Sequence, residues 1–375
     1  MLIKNGTVYD AIHKRPYVAD IAVERGKIKA IAPGLKPAKG ERVVDATGLR
    51  VYPGFVEAHS HIGLTTFADG AAGADINETT SPVTPELRAI DSLNPQSLTF
   101  RYAREAGITT VCTGPGSANV IGGTFTAVKP VGNSVEEMLI KEAVAMKCAF
   151  GENPKKTYPK KGATVRMGVA ARLRETLFAA QEYLKKKEAG KDQKFDLKME
   201  SLIPVLKGEM PLKAHAHRAD DILTAIRIAK EFGLKITIEH GTDGALIADE
   251  LKAAGVSVAL GPILCGGTKT ELQNKTDATA AALDKAGVPF CIITDSSVIM
   301  PQYLVTSAAV CARAGLDPVR ALQAITINAA KHIGLEDRVG SLEVGKDADI
   351  VLCDGDVLSY TSRIKAVFID GRKVV

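Results

Sequence analysis

The strongest constraint on the fold of this chain is a repeated alternation of apolar runs and helical patterns across residues 52–337. The apolar runs are short and strand-like, and they lie at residues 52–56, 108–112, 125–131, 144–150, 212–215, 235–239, 256–260 and 290–294. Helical periodicity fills most of the gaps, and glycine follows several of these helices, as is typical of a helix C-terminus. The pattern predicts eight parallel strands with intervening helices, which is the (β/α)8 TIM barrel of the α/β class.

Two of the predicted helices have specific limits. A helix is predicted to begin at Asn94 and Pro95, because proline is favoured at the first helical position. Another is predicted across residues 318–333, where apolar side chains recur at helical spacing. An open, doubly wound sheet is the alternative fold, but the first strand is not followed by the G-x-G-x-x-G pattern of a dinucleotide-binding enzyme.

The two ends of the chain have a different pattern, in which apolar and polar residues alternate with a period of two. This pattern predicts short antiparallel strands near both termini. Neither end is large enough to bury a sheet face alone. We therefore expect residues 1–51 and 338–375 to pair into one small β-sandwich domain, with residues 52–337 forming the catalytic barrel domain.

Composition excludes several classes of partner. The net charge of +5 comes from 48 basic and 43 acidic residues that are interleaved, which argues against a nucleic-acid partner. No apolar stretch reaches the roughly 18 residues of a membrane span, and the first residues lack the pattern of a secretory signal. The six cysteines show no paired spacing, which is typical of reduced thiols. We expect a cytoplasmic homo-oligomer with a small-molecule substrate and no membrane partner.

Histidines cluster at the predicted carboxyl ends of strands. The chain has seven histidines, and five of them fall at such ends: His59, His61, His215, His217 and His240. In an extended strand, residues two apart point to the same side, so His59 and His61 face one point. Asp295 directly follows the apolar eighth run, where a carboxylate is costly unless it is paired or bound to a metal. In a barrel the first and eighth strands are neighbours, so we expect Asp295 to meet this pair.

Imidazole nitrogen and carboxylate oxygen are ligands of first-row divalent metals. The cluster therefore predicts one or two divalent ions, with zinc favoured and manganese or iron as alternatives. A single buried histidine is more often a structural residue, and His13 and His332 are interpreted as structural or surface residues.

Two segments resemble the amidohydrolase superfamily. Residues 51–61, with the sequence VYPGFVEAHSH, are similar to its PG-[FL]-[IV]-[DE]-x-H-x-H opening, and residues 340–351 resemble the strand that returns to its small β domain. Within the superfamily the chain is most similar to the imidazolonepropionase-related branch. The resemblance implies a metal-dependent hydrolase and covers nearly the whole chain.

The resemblance also implies roles for individual residues. It makes His59, His61, His215 and Asp295 metal ligands, and it makes His240 a ligand of a second metal or a substrate contact. Many binuclear relatives carry a bridging carboxylated lysine at the end of the fourth strand, and others carry a glutamate. Glu152 is favoured for this position, and Lys147, which lies earlier in the strand, is the alternative.

Substrate contacts are predicted on two segments. His217 points toward the same pocket as His215, and Ser117 and Asn119 lie on a glycine-rich loop after the second strand. That loop lacks the lysine and hydroxyl pair of a phosphate-binding P-loop. A basic segment after Glu152 suggests an acidic substrate, although a solvated loop is the simpler interpretation; its lysines are Lys155, Lys156, Lys160 and Lys161.

The predicted chemistry is hydrolysis of a carbon–nitrogen bond in an amide, cyclic amide or dipeptide-like substrate. A bound divalent cation lowers the pKa of water to about 7. Asp295 is then predicted to accept the proton of the attacking water, and His240 to polarise the carbonyl. The alternatives are a deaminase of a heterocycle and a non-catalytic binding protein of the same family.

Overall fold

A computed structural model of the chain describes residues 1–65 and 73–375. Its strands are β1 Leu2–Val8, β2 Tyr17–Glu24, β3 Lys27–Ala32, β4 Val43–Asp45, β5 Arg50–Pro53, β6 Phe55–Ser60, β7 Ile108–Thr113, β8 Ile121–Val128, β9 Leu139–Ala149, β10 Leu212–Ala216, β11 Ile236–His240, β12 Ser257–Leu260, β13 Phe290–Ile292, β14 Ile350–Cys353, β15 Ile364–Ile369 and β16 Arg372–Lys373. Its helices are α1 Leu98–Glu105, α2 Val135–Met138, α3 Glu152–Thr157, α4 Arg166–Glu188, α5 Leu197–Leu206, α6 Ala219–Phe232, α7 Ala248–Ala254, α8 Thr279–Ala286, α9 Leu304–Arg313, α10 Pro318–Ala324 and α11 Ile327–His332. The architecture is mixed α/β.

One sheet is built from both ends of the chain, as the alternating patterns predicted. Its strands are ordered β16-β15-β14-β5-β1-β2-β3, and β4 pairs with β1. The amino-terminal and carboxyl-terminal halves meet where β5 runs antiparallel to β14, with Tyr52 opposite Val351. Because β5 ends at Pro53, the start of the run predicted as the first barrel strand belongs to this terminal sheet. The domain limits at residues 51 and 338 stay a prediction.

The second sheet contains the eight strands β6 to β13 in chain order, at the positions that the apolar runs predicted. The expectation that all eight are parallel is wrong at the third, because β8 runs antiparallel to both β7 and β9. Antiparallel neighbours need only a short connection, whereas parallel neighbours need a crossover. The segments on either side of β8, residues 114–120 and 129–138, carry only the four-residue helix α2.

The two ends of the second sheet lie against each other. The buried carboxylate of Glu57 on β6 accepts hydrogen bonds from the N–H and hydroxyl of Thr294, at 3.0 and 2.6 Å. The N–H of His61 donates to the carbonyl of Ser296. These contacts bring the segment after β13 beside the carboxyl end of β6, which is the neighbour relation predicted for Asp295 and the first histidine pair.

The helices agree with the sequence patterns in most of the barrel region and differ at several places. The helix predicted to start at Asn94 and Pro95 begins instead at Leu98, where the Ser97 hydroxyl caps it by accepting from the Thr99 N–H. The helix predicted across residues 318–333 is two helices, α10 and α11. Helices α2, α3 and α5 were not predicted. Across residues 1–65 and 73–375, no helix combines the length and apolar character that a membrane crossing needs.

Gly54, between β5 and β6, packs directly on β7. A Cβ atom at this position would lie 2.0 Å from Thr109 Oγ1 and 2.5 Å from its methyl carbon. We expect Gly54→Ala to reduce the free energy of unfolding by about 1–3 kcal/mol, because the added methyl group must displace a packed strand. Urea denaturation of the metal-free protein measures this.

Gly266→Ala is the matched control, because nothing lies within 4 Å of a Cβ at that position. Equal unfolding midpoints for Gly54→Ala and Gly266→Ala would contradict the prediction.

Candidate metal centre

Five histidine rings meet at the carboxyl ends of β6, β10 and β11, and each uses its Nδ1 atom for a contact away from the centre. The Nδ1 partners are the Glu239 carboxylate for His59 (2.7 Å), the Gly114 carbonyl for His61 (2.7 Å), Ser117 Oγ for His215 (3.0 Å), Thr242 Oγ1 for His217 (2.8 Å) and the Gly261 carbonyl for His240 (2.8 Å). A carbonyl or carboxylate oxygen only accepts, so His59, His61 and His240 carry their proton on Nδ1. Their Nε2 lone pairs therefore face the centre.

Asp295 joins the first histidine pair, as predicted. Its Oδ1 atom lies 3.3 Å from His61 Nε2 and 3.6 Å from His59 Nε2. Both Asp295 and His240 have positive φ angles, of 52° and 75°. Residues other than glycine rarely adopt this backbone conformation, and such strain is typical of functional sites.

The electrostatics favour the forms of these side chains that bind metals. Burial, reinforced by the nearby Lys147 ammonium, lowers the pKa of His59 to about 3. Burial also lowers the pKa of His217 to about 4 and holds those of His215 and His240 well below the usual range. Burial opposes ionisation of Asp295, but His240 and His61 hold the pKa of that carboxyl below its ordinary value. Neutral imidazoles and an ionised carboxylate are the states that ligate divalent cations.

The donor atoms form two overlapping triplets in which they lie within 4.8 Å of one another. One triplet is His59, His240 and Asp295, and the other is His215, His217 and His240. His240 Nε2 is buried and has no hydrogen-bond partner among the described residues. A buried polar atom without a partner is costly, and a cation held by these nitrogens would satisfy it. The residues present therefore fit a divalent metal.

The structure disagrees with the preference for Glu152 over Lys147. The Glu152 carboxylate accepts from the Glu271 N–H at 2.9 Å and belongs to neither triplet. Lys147 is fully buried on β9, and its Nζ atom lies 3.3 Å from His59 Nε2. Burial lowers the pKa of the Lys147 ammonium to about 8. Strand β9 ends at Ala149, and Glu152 lies beyond it on α3, whereas Lys147 lies within the strand beside His59.

A cavity of about 310 Å³ opens beside the centre. His217 and Ser117 line it together with His61, His215, His240 and Asp295, and their role as substrate contacts stays a prediction. Asn119 does not: its amide donates to Glu78 and Thr84 and accepts from the Tyr158 hydroxyl, so it holds neighbouring loops together.

The basic segment after Glu152 is also displaced from the cavity. In the described part of the chain the lysines that line the cavity are Lys269 and Lys275, not Lys155, Lys156, Lys160 or Lys161. Both lining lysines lie on the segment after β12, which the sequence analysis had not singled out.

A buried charge cluster behind His59 was also missed. The Glu239 carboxylate accepts from Lys213 Nζ at 2.8 Å, from His332 Nε2 at 3.0 Å and from Thr237 Oγ1 at 2.7 Å, in addition to His59. Burial opposes both charges, but Lys213 and Glu239 hold each other ionised: the pKa of Glu239 lies well below its usual value and that of Lys213 lies above it. Charged residues inside otherwise apolar strands are the signal that would have revealed this pair.

Comparisons with known proteins agree with this geometry. A family model described as "Amidohydrolase family" matches residues 207–374. The crystal structure of an amidohydrolase from Thermotoga maritima is 42% identical, covers 100% of this chain and 99% of its own, and superposes with a TM-score of 0.97.

Two relatives of known name are more distant. An imidazolonepropionase from Symbiobacterium thermophilum is 26% identical, over 88% of this chain and 83% of its own length. The amidohydrolase tasK of Hapsidospora irregularis is 27% identical over 95% of this chain, which spans only 40% of that protein.

Taken together, the eight-stranded sheet, the histidine and aspartate centre and the full-length likeness define a class. The chain belongs to the amidohydrolase superfamily, and the resemblance in its motifs is confirmed. The predicted class of enzyme, a metal-dependent hydrolase of carbon–nitrogen bonds, is confirmed at the level of this family.

Replacing the Glu239 carboxylate tests its effect on the centre. We expect Glu239→Gln to weaken zinc binding by roughly 10- to 100-fold, because an amide cannot both neutralise Lys213 and accept the His59 N–H. Competition with a chromogenic chelator measures the affinity. The exposed Glu250→Gln is the control, and equal zinc affinities in the two variants would argue against this role.

Proposed function

We propose that the chain hydrolyses the carbon–nitrogen bond of a small amide or cyclic amide at a metal held by His59, His61 and Asp295, with His240 beside them. One observation carries this proposal: imidazole Nε2 atoms and a carboxylate converge beside a cavity of about 310 Å³. When bound, a divalent cation supplies Lewis acidity, which acidifies water and polarises a carbonyl oxygen. The nitrogen-rich donor set favours zinc, with manganese or iron as alternatives.

Asp295 is the proton carrier in this proposal. Its carboxylate is held ionised and reaches the cavity, so it can accept the proton of the attacking water. The protonated Asp295 carboxyl can then deliver this proton to the leaving nitrogen. The hydroxyl of Ser117 borders the cavity and is proposed as a substrate contact.

Lys147 is proposed at the position where the family resemblance implies a carboxylated lysine. It lies on the fourth strand of the sheet, is fully buried and approaches His59 Nε2.

We also propose that the second sheet closes into a barrel through the contacts between β6 and the segment after β13, and that the terminal sheet forms a sandwich. The six cysteines are free, which supports a reducing, cytoplasmic location.

The proposed substrate carries a carboxylate. Lys269 and Lys275 line the cavity and supply positive charge there. The relatives named imidazolonepropionase support this substrate class. An imidazolone ring is a cyclic amide, and a propionate group carries a carboxylate. An N-acyl amino acid or dipeptide presents the same pair of groups and is the second member of this substrate class.

A substrate screen tests the proposed function. The zinc-loaded protein is assayed against imidazolones and other cyclic amides, N-acyl amino acids, dipeptides and aminopurines. We expect hydrolysis of an acidic cyclic amide or N-acyl amino acid, and loss of that activity in His59→Ala and after chelation. His13→Ala removes an exposed histidine distant from the centre and is the control. Activity in His59→Ala equal to that of the parent would refute the proposal.

Asp295→Asn tests proton transfer directly. We expect kcat to fall by about 10²- to 10⁴-fold on the best substrate, because the amide cannot accept a proton. Zinc content is measured in parallel, so that loss of proton transfer is distinguished from loss of metal. A variant that keeps its zinc and its full kcat would contradict the role assigned to this carboxylate.

A further inference from the structure

His217 shares the outward Nδ1 contact of the other four histidines at the centre. Its Nδ1 atom contacts Thr242 Oγ1 at 2.8 Å, on the side away from the centre. Its ring stacks on His240 with centroids 4.7 Å apart and lies 4.8 Å from the His215 ring. The donor atoms of His215, His217 and His240 lie within 4.8 Å of one another, which is the grouping that a shared cation needs.

Glu271 presents an unsatisfied oxygen to the same point. It is buried on the segment after β12, and its Oε1 atom has no hydrogen-bond partner in the described ranges. That atom lies 3.8 Å from His217 Nε2 and 3.9 Å from His215 Nε2. Ligand atoms of a tetrahedral zinc site lie about 3.3 Å apart, given metal–ligand distances of about 2.0–2.2 Å. The Glu271 oxygen therefore lies about half an ångström too far from each imidazole nitrogen for a shared coordination shell, a gap that a small shift of its side chain would close.

The orientation of the Glu271 carboxylate is held from behind. Its Oε2 atom accepts from the Glu152 N–H at 2.9 Å, and the Glu152 carboxylate accepts from the Glu271 N–H at 2.9 Å. This reciprocal pair leaves Oε1 as the free oxygen. Glu152, expected as a ligand, is thus a positioning residue for Glu271.

The family resemblance already allows a second cation at His240, and we propose that His217 and Glu271 are additional ligands of that cation. The proposal rests on the proposed function, because His240 also borders the ion at His59 and Asp295. Lys269 Nζ lies 3.5 Å from Glu271 Oε1, and its side chain is one-third exposed. A divalent cation beside Glu271 Oε1 would replace the charge of this ammonium there, and Lys269 lines the same cavity.

Metal binding tests the proposal without reference to turnover. The full chain is titrated with Zn²⁺ against a chelator, and bound metal is counted by mass spectrometry. We expect two ions per chain, and we expect Glu271→Gln and His217→Gln to weaken the second by about tenfold or more while the first is retained. Retention of the first ion and an unchanged circular dichroism spectrum show that each variant has folded.

Matched measurements separate the outcomes. Glu250→Gln, an exposed carboxylate, is expected to bind both ions as the parent does. Two ions of unchanged affinity in Glu271→Gln, a single ion in the parent, or loss of both ions in the variants would each overturn the second site. One ion with hydrolysis intact leaves the proposed function standing, whereas two ions without hydrolysis of any substrate in the screen contradict only that function.

Discussion

The outward hydrogen bond at the Nδ1 atom of each histidine is the constraint on which the centre depends. It fixes the ring orientation and, where the partner is a carbonyl or carboxylate, the tautomer. For His59 that partner is Glu239, whose burial would be costly without the donors that surround it: Lys213, His332 and Thr237. The orientation of the His59 nitrogen that faces the metal therefore depends on the buried Glu239 cluster. This cluster belongs to the site although it lies outside the cavity.

The reversal of β8 contributes to the same constraint. Because β8 runs against β7, the segment 114–120 that joins them stays at the end of the sheet where the histidines lie. This segment supplies the Gly114 carbonyl to His61 and the Ser117 hydroxyl to His215. A crossover helix at this position would have carried the chain to the other end of the sheet, and His61 and His215 would have needed other hydrogen-bond partners.

The fold was largely predictable because apolar runs and histidine spacing are local properties of the sequence. They placed all eight strands and brought Asp295 to the first histidine pair. Strand direction was not predictable in the same way, since a run of buried residues reads alike in both directions. The choice between Glu152 and Lys147, and the approach of Glu271, depend on how separate loops pack, which no spacing within one segment records.

The terminal sheet has a consequence for how the chain is made. Strand β14 lies between β5 and β15, so the free edge of β5 acquires its partner only when residues 350–353 leave the ribosome. Until then an apolar strand edge is exposed on a nascent chain, a condition that promotes aggregation. The strands and helices of the second sheet lie between β5 and β14 in the chain, so they are synthesised before β14 is available. The strand that joins the two parts of this sheet is therefore made long after the strand it pairs with, and a chain that stops before β14 cannot complete the sheet.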